Sequence, residues 1–214
     1  MAMGSSSSAE TPRRTGAFEQ HRAASRTDRF GVWLSARALN RHVASFAGKA
    51  VGDFGCGYEA RFIRSVLPEL ERAVLVDSAL APDLKAHERI TAIEGVLPDA
   101  LREVDDASLD VVLCISVLEH LWEPLETLVE LRRVVAPGGI CLINVPTWRG
   151  KSFLEFSGFR LGFSPAEEMD DHKAYYDPRE LWPLLVRAGF LPHNIRCGRH
   201  KFGLNTFAAC RVDR

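Results

Sequence analysis

The sequence has no apolar stretch long enough to span a bilayer, no CxxC pair and almost no net charge. Each absence removes a class of function. Without a spanning run or an apolar h-region near the start, the chain reads as a cytoplasmic protein with no stable membrane insertion. Its five cysteines, Cys56, Cys114, Cys141, Cys197 and Cys210, are odd in number and show no ligand spacing, which argues against a zinc site or a disulfide framework. Cys114 and Cys141 fall in apolar, strand-like runs and read as reduced buried thiols. A formal charge of -1 gives no global field for nucleic acid, so no such partner is expected. What remains is ordinary for a globular protein. With 214 residues, 46 % of them hydrophobic, the chain suffices for one domain with a substantial core and not for two. Residues 1–16, with Ser5 to Ser8 in a row, read as a disordered tail, leaving 17–214 as the domain.

The domain is organised around Ala50-Val-Gly-Asp-Phe-Gly-Cys-Gly-Tyr-Glu59. An apolar approach, a glycine turn and a helical pattern from Glu59 form the first βα junction of a doubly wound sheet. A second apolar run, Ala73-Val-Leu-Val76, ends on Asp77, where an acid commonly meets ribose hydroxyls. Gly55-x-Gly57-x-x-Ala60 formally fits a dinucleotide fingerprint. Asp53 before the first glycine and Glu59 in the expected first turn of the helix oppose a pyrophosphate and suit a ligand bearing positive charge.

Val51-Gly-Asp-Phe-Gly-Cys-Gly57 resembles motif I of the class I S-adenosylmethionine-dependent methyltransferases. The similarity runs on through Asp77, Ser108-Leu-Asp110-Val-Val, Val117-Leu-Glu-His-Leu121 and Pro137-Gly-Gly139, over about residues 48–146. Order and spacing resemble the small-molecule (type 11-like) branch, with Glu59 where that pattern has a third glycine. The resemblance implies an α/β, Rossmann-like, seven-stranded, mostly parallel sheet with an antiparallel C-terminal hairpin and helices on both faces. It implies S-adenosylmethionine as cofactor, bound by Asp53, Gly55, Cys56, Gly57, Asp77, Ser78, Glu94, Gly95, Val96, Ile115 and Ser116. Glu94 is an acceptor for the adenine amine on this reading, or else a surface acid.

Along the chain, residues 17–47 read as cap helices, with Phe30 or Trp33 near substrate as one alternative to a solvated, packed pair. Strands are expected at 49–54, 73–77, 90–93, 110–115 and 140–145, with helices at 59–67 and 124–135. Residues 146–177 form a long connection rich in Phe and Trp, read as a packed lid, an acceptor wall or a lipid-touching helix. Asp177-Pro-Arg-Glu180 reads as the capped start of a last helix, in which Pro183 predicts a kink or a later start. Residues 190–199 and 202–211 then close the sheet as a hairpin.

Methyl transfer to a hydroxyl needs alignment and removal of a proton, and histidine has the pKa for the latter. His120, after the fourth strand, and His172, before the last helix, are the candidate catalytic residues. Asn144, Tyr175 and Tyr176 are candidate substrate-binding residues. Asp170-Asp171-His172 has metal-binding residue types, but three contiguous side chains seldom converge on one ion, so no metal is assigned. The reading is O-methylation of a sugar, nucleoside or other secondary metabolite, with a small-molecule acceptor as partner and a homodimer allowed. The rivals are a non-catalytic cofactor-binding partner subunit and a nicotinamide-dependent reductase.

Overall fold

The computed structural model describes residues 37–153 and 172–213. Expectations for 17–36, including Phe30 and Trp33, and for 154–171, including Asp170 and Asp171, lie outside the described residues.

Near-continuous apolar runs build the centre of the sheet, as strands covered on both faces require. β1 (Ala50–Phe54), β2 (Arg72–Asp77), β3 (Ile90–Glu94), β4 (Leu109–Ile115) and β5 (Val135–Pro146) run parallel. β7 (Asn205–Arg211) pairs antiparallel with β5, and β6 (Ile195–His200) pairs antiparallel with β7. The order is β3-β2-β1-β4-β5-β7-β6, the Rossmann-like sheet and closing hairpin expected. A period of two sorts the strand residues into two cores. Val112, Cys114 and Ile143 pack with Leu128 and Leu131 of α3 (Pro124–Val134) and with Leu181 and Leu185 of α4 (Pro178–Arg187). Val111, Leu113 and Leu142 pack with Ile63 of α1 (Arg61–Val66), Leu84 of α2 (Pro82–Lys85), Leu39 and Phe46. Helices therefore cover both faces, and the strand ends between them are left for a site.

Several local expectations change. α1 begins at Arg61, after Ala60 in the left-handed conformation (φ 41°), so Glu59 precedes the helix instead of occupying its first turn. Its carboxylate lies 3.3 Å from Arg64 Nη2 and is balanced there. β5 begins at Val135, so Pro137-Gly138-Gly139 lies within the strand. Val135 pairs with Leu109 and Ile140 with Val111, so the extra β5 residues bulge where Pro137 has no N–H to give. α4 starts at Pro178 despite Pro183, because Glu180 Oε2 accepts from Asp177 N–H at 2.7 Å and closes the first turn. β6 starts at Ile195, since Pro192–Asn194 forms a 3₁₀ turn.

Candidate active site

The first half of the site is backbone shaped by two glycines. Gly55 (φ +78°) and Gly57 (φ +74°) hold conformations that favour glycine, which lets the chain leave β1 and turn beneath β2. Gly55 N–H donates to Val76 O at 2.7 Å. Gly57 N–H donates to Asp77 Oδ2 at 2.8 Å, and Ser78 N–H to Oδ1 at 2.7 Å. The Asp77 carbonyl accepts from Gly95 N–H at 2.9 Å. One residue thus joins the ends of β1, β2 and β3. Oδ1 also accepts from Ser78 Oγ at 3.1 Å, whereas Oδ2 keeps lone-pair capacity, and the side chain is only partly buried.

Beneath the loop, Asp53 is 6 % exposed, and burial followed by the Asp77 charge pushes its carboxyl up to about 7. Burial and the same two acids push the Cys56 thiol far up, so it is no nucleophile. Among the described residues no ion pair includes Asp53 or Asp77, whereas Arg64 is engaged by Glu59 and Asp83. This anionic end, with carboxylate lone pairs to spare, fits a ribose diol and a cationic sulfonium and opposes a pyrophosphate. Glu94 Oε1 accepts from Leu80 N–H at 2.8 Å and from Lys85 Nζ at 3.0 Å, closing the loop after β2. Val96 is 73 % exposed, so its side chain covers nothing described.

The second half lies past β4. Ile115 pairs with Asn144, and Ser116 (φ +59°) donates its N–H to Asn144 O at 2.8 Å. A 3₁₀ turn, Leu118–His120, follows. Its Glu119 carbonyl accepts from Lys173 N–H at 2.6 Å and Ala174 N–H at 3.2 Å, which brings the segment before α4 to the end of β4. His120 and His172 consequently meet, with ring centroids 4.8 Å apart at 65°. Both candidate catalytic histidines therefore stand together. Tyr175 Oη lies 3.2 Å from His172 Nδ1, whereas Tyr176 belongs to the core and its carbonyl accepts from Thr206 Oγ1 at 2.7 Å. Asn144 is fully buried, and neither amide atom has a hydrogen-bond partner among the described residues.

Two residues escaped the sequence reading. Glu119, 1 % exposed, is pushed up to about 8 by burial. Lys201 is pushed down to about 8 by burial, with the Glu119 charge opposing. Glu119 was findable as an acid inside the apolar Val117-Leu118 context. Lys201 was not, because a left-handed turn (φ 48°) between β6 and β7 delivers it.

Comparison with known proteins agrees with this geometry. Residues 52–143 match the family described as "Methyltransferase domain". A "probable S-adenosylmethionine-dependent methyltransferase" of Mycolicibacterium smegmatis is 30% identical over 149 residues, 67% of this chain and 52% of that protein. The chain thus spans about half the length of that curated relative. A "ubiquinone biosynthesis O-methyltransferase" of Psychrobacter arcticus is 26% identical, over 70% of this chain and 62% of that one. Among solved structures, an S-adenosylmethionine-dependent methyltransferase from Archaeoglobus fulgidus superposes with TM-score 0.60 at 16% identity, covering 84% of this chain and 93% of that one. The [4+2]-cyclase SpnF does so with TM-score 0.64 at 14% identity, covering 93% and 86%. Those two likenesses concern the fold alone, and among the described residues no helix is long and apolar enough to cross a membrane. Motif, sheet order and sequence match together place the chain in the class I S-adenosylmethionine-dependent methyltransferase family.

Proposed function

We propose that the chain is an active cytoplasmic methyltransferase that modifies a hydroxyl of a small molecule, of the sugar, nucleoside or secondary-metabolite kind. The observation that carries the reading is the meeting of His120 and His172 at the carboxyl end of β4, beside the glycine loop's strand. Bound S-adenosylmethionine would supply an electrophilic methyl group on a cationic sulfur. Asp77 would hold the ribose, Gly55 and Gly57 would let the backbone approach closely, and Asp53 would face the positive charge. His120 and His172 would hold the acceptor and govern loss of its proton. The ubiquinone-pathway relative, named as an O-methyltransferase, supports oxygen as the methylated atom.

Calorimetry with S-adenosylhomocysteine and, separately, NADH tests the reading. Micromolar binding of the first alone is expected, whereas binding of NADH alone would make the loop a phosphate site. His172→Ala should lower turnover by about 10²–10⁴-fold while S-adenosylhomocysteine affinity stays within about threefold. Equal turnover would take His172 out of the chemistry.

Asp53 gives a pH prediction. A carboxyl raised by burial favours the fold in its neutral form, so that stability contribution is present at low pH and lost as pH rises through about 7. A positive ligand works the other way, favouring the ionised carboxylate. The affinity ratio of cationic S-adenosylmethionine to its neutral product should therefore rise with pH, by about tenfold for each unit by which the cation lowers the carboxyl. Asp53→Asn should flatten it, and a flat ratio in the unmodified protein would place the sulfonium away from Asp53.

A further inference from the structure

We infer that Glu119, His120 and His172 form a binding site for a first-row divalent transition-metal cation. One carboxylate oxygen and one nitrogen from each ring lie within 4.8 Å of one another. The approach is set by backbone, since the Glu119 carbonyl takes both the Lys173 and Ala174 N–H groups and fixes His172 against the turn that carries His120. The second, independent observation is the burial of Glu119. Its side chain is 1 % exposed, and Oε2 has no hydrogen-bond partner among the described residues. A carboxylate held this way is costly unless a charge or a metal completes it, and the charge of Lys201 also acts on it. Tyr175 Oη, 3.2 Å from His172 Nδ1, is an outer hydrogen bond of the sort that orients metal-bound imidazoles.

The donor set selects the ion class. Two imidazoles and one carboxylate suit zinc, iron(II), cobalt(II) or manganese(II), while magnesium prefers oxygen throughout. Ligand atoms about 2.1 Å from one ion lie about 3.4 Å apart in a tetrahedral site, so a pair 4.8 Å apart must close by about 1.4 Å. Three protein ligands leave a position for water or an acceptor oxygen. What the cation would do there rests on the proposed function: it would bind the acceptor hydroxyl and lower its pKa, the proton passing to water. The sequence reading assigned no metal because it weighed contiguous residues, whereas this set joins the end of β4 to the start of α4.

Cobalt(II) added to the full chain, followed by its ligand-field absorption and by calorimetry, is the test. One equivalent should bind and be displaced by zinc, and His172→Gln and Glu119→Gln should each weaken it at least about tenfold, in line with the loss when metal-site partners are removed. His172 is partly exposed, so its variant serves where circular dichroism shows that Glu119→Gln has lost the fold. Failure of cobalt to bind, or equal binding by His172→Gln, overturns the site. S-adenosylhomocysteine titrated into the same samples separates the two readings. Its binding without cobalt binding removes the cation alone, and cobalt binding without it supports the site while sinking the methyltransferase proposal.

Discussion

Asp77→Ala should weaken S-adenosylhomocysteine binding by about two to three orders of magnitude. This carboxylate accepts from Gly57 N–H at 2.8 Å and Ser78 N–H at 2.7 Å, so it shapes the loop in addition to the ribose role proposed for it. Hydrogen bonds to charged groups contribute about 1.5–3 kcal/mol each, and losing two from bound ribose accounts for the lower end of that range. Loosening of Gly57 adds to it, because the loop must then be ordered by the ligand itself. Asp77→Asn separates the contributions. It keeps the volume and one acceptor oxygen but offers an NH₂ group toward one of the two backbone donors, so it should bind more weakly than wild type and better than the Ala variant. Calorimetry showing wild-type affinity for Asp77→Ala would refute both its anchoring and its ribose role.

Gly55→Ala is the substitution expected to cost most stability. Its φ of +78° is unfavourable for alanine by about 1–2 kcal/mol. The added Cβ would also lie 2.2 Å from Val117 Cγ2 and 3.3 Å from Val117 Cβ. Val117 is buried and β-branched, so it has little rotamer freedom with which to withdraw, and overpacking of this kind costs about 1–3 kcal/mol. The sum, about 2–5 kcal/mol, corresponds to a Tm lowered by roughly 5–15 °C for a chain of this size. Val117→Ala in the same chain should relieve the overlap and leave the backbone strain, so the double variant should recover part of the loss. Denaturant titration showing strict additivity would mean that the two residues do not meet.

The first half of the site was legible because its parts are local or tied to strand ends. Asp53, Gly55 and Gly57 sit within five residues, and Asp77 follows at the end of the next strand. The parallel α/β class was legible for the same reason, since apolar runs alternated with helical patterns, while the seven-stranded sheet followed from the family resemblance. Local punctuation misled where tertiary pairing overrode it. Pro137-Gly138-Gly139 looked like the break between a helix and a strand starting at Ile140, yet Val135 is already paired with Leu109. Glu59 looked like a first-turn acid until the left-handed Ala60 moved the helix start. The second half was legible only as separate residues. His120 and His172 were each picked for their chemistry, but no spacing predicts that the Glu119 carbonyl would bring them together.

That carbonyl has a consequence for how such a chain diversifies. With Glu119 O accepting from Lys173 and Ala174, the re-entry point of the connection after β5 is pinned independently of what precedes it. Changes of length or composition before residue 172 are therefore expected to leave the imidazoles in their places, because the staple is made of backbone atoms alone.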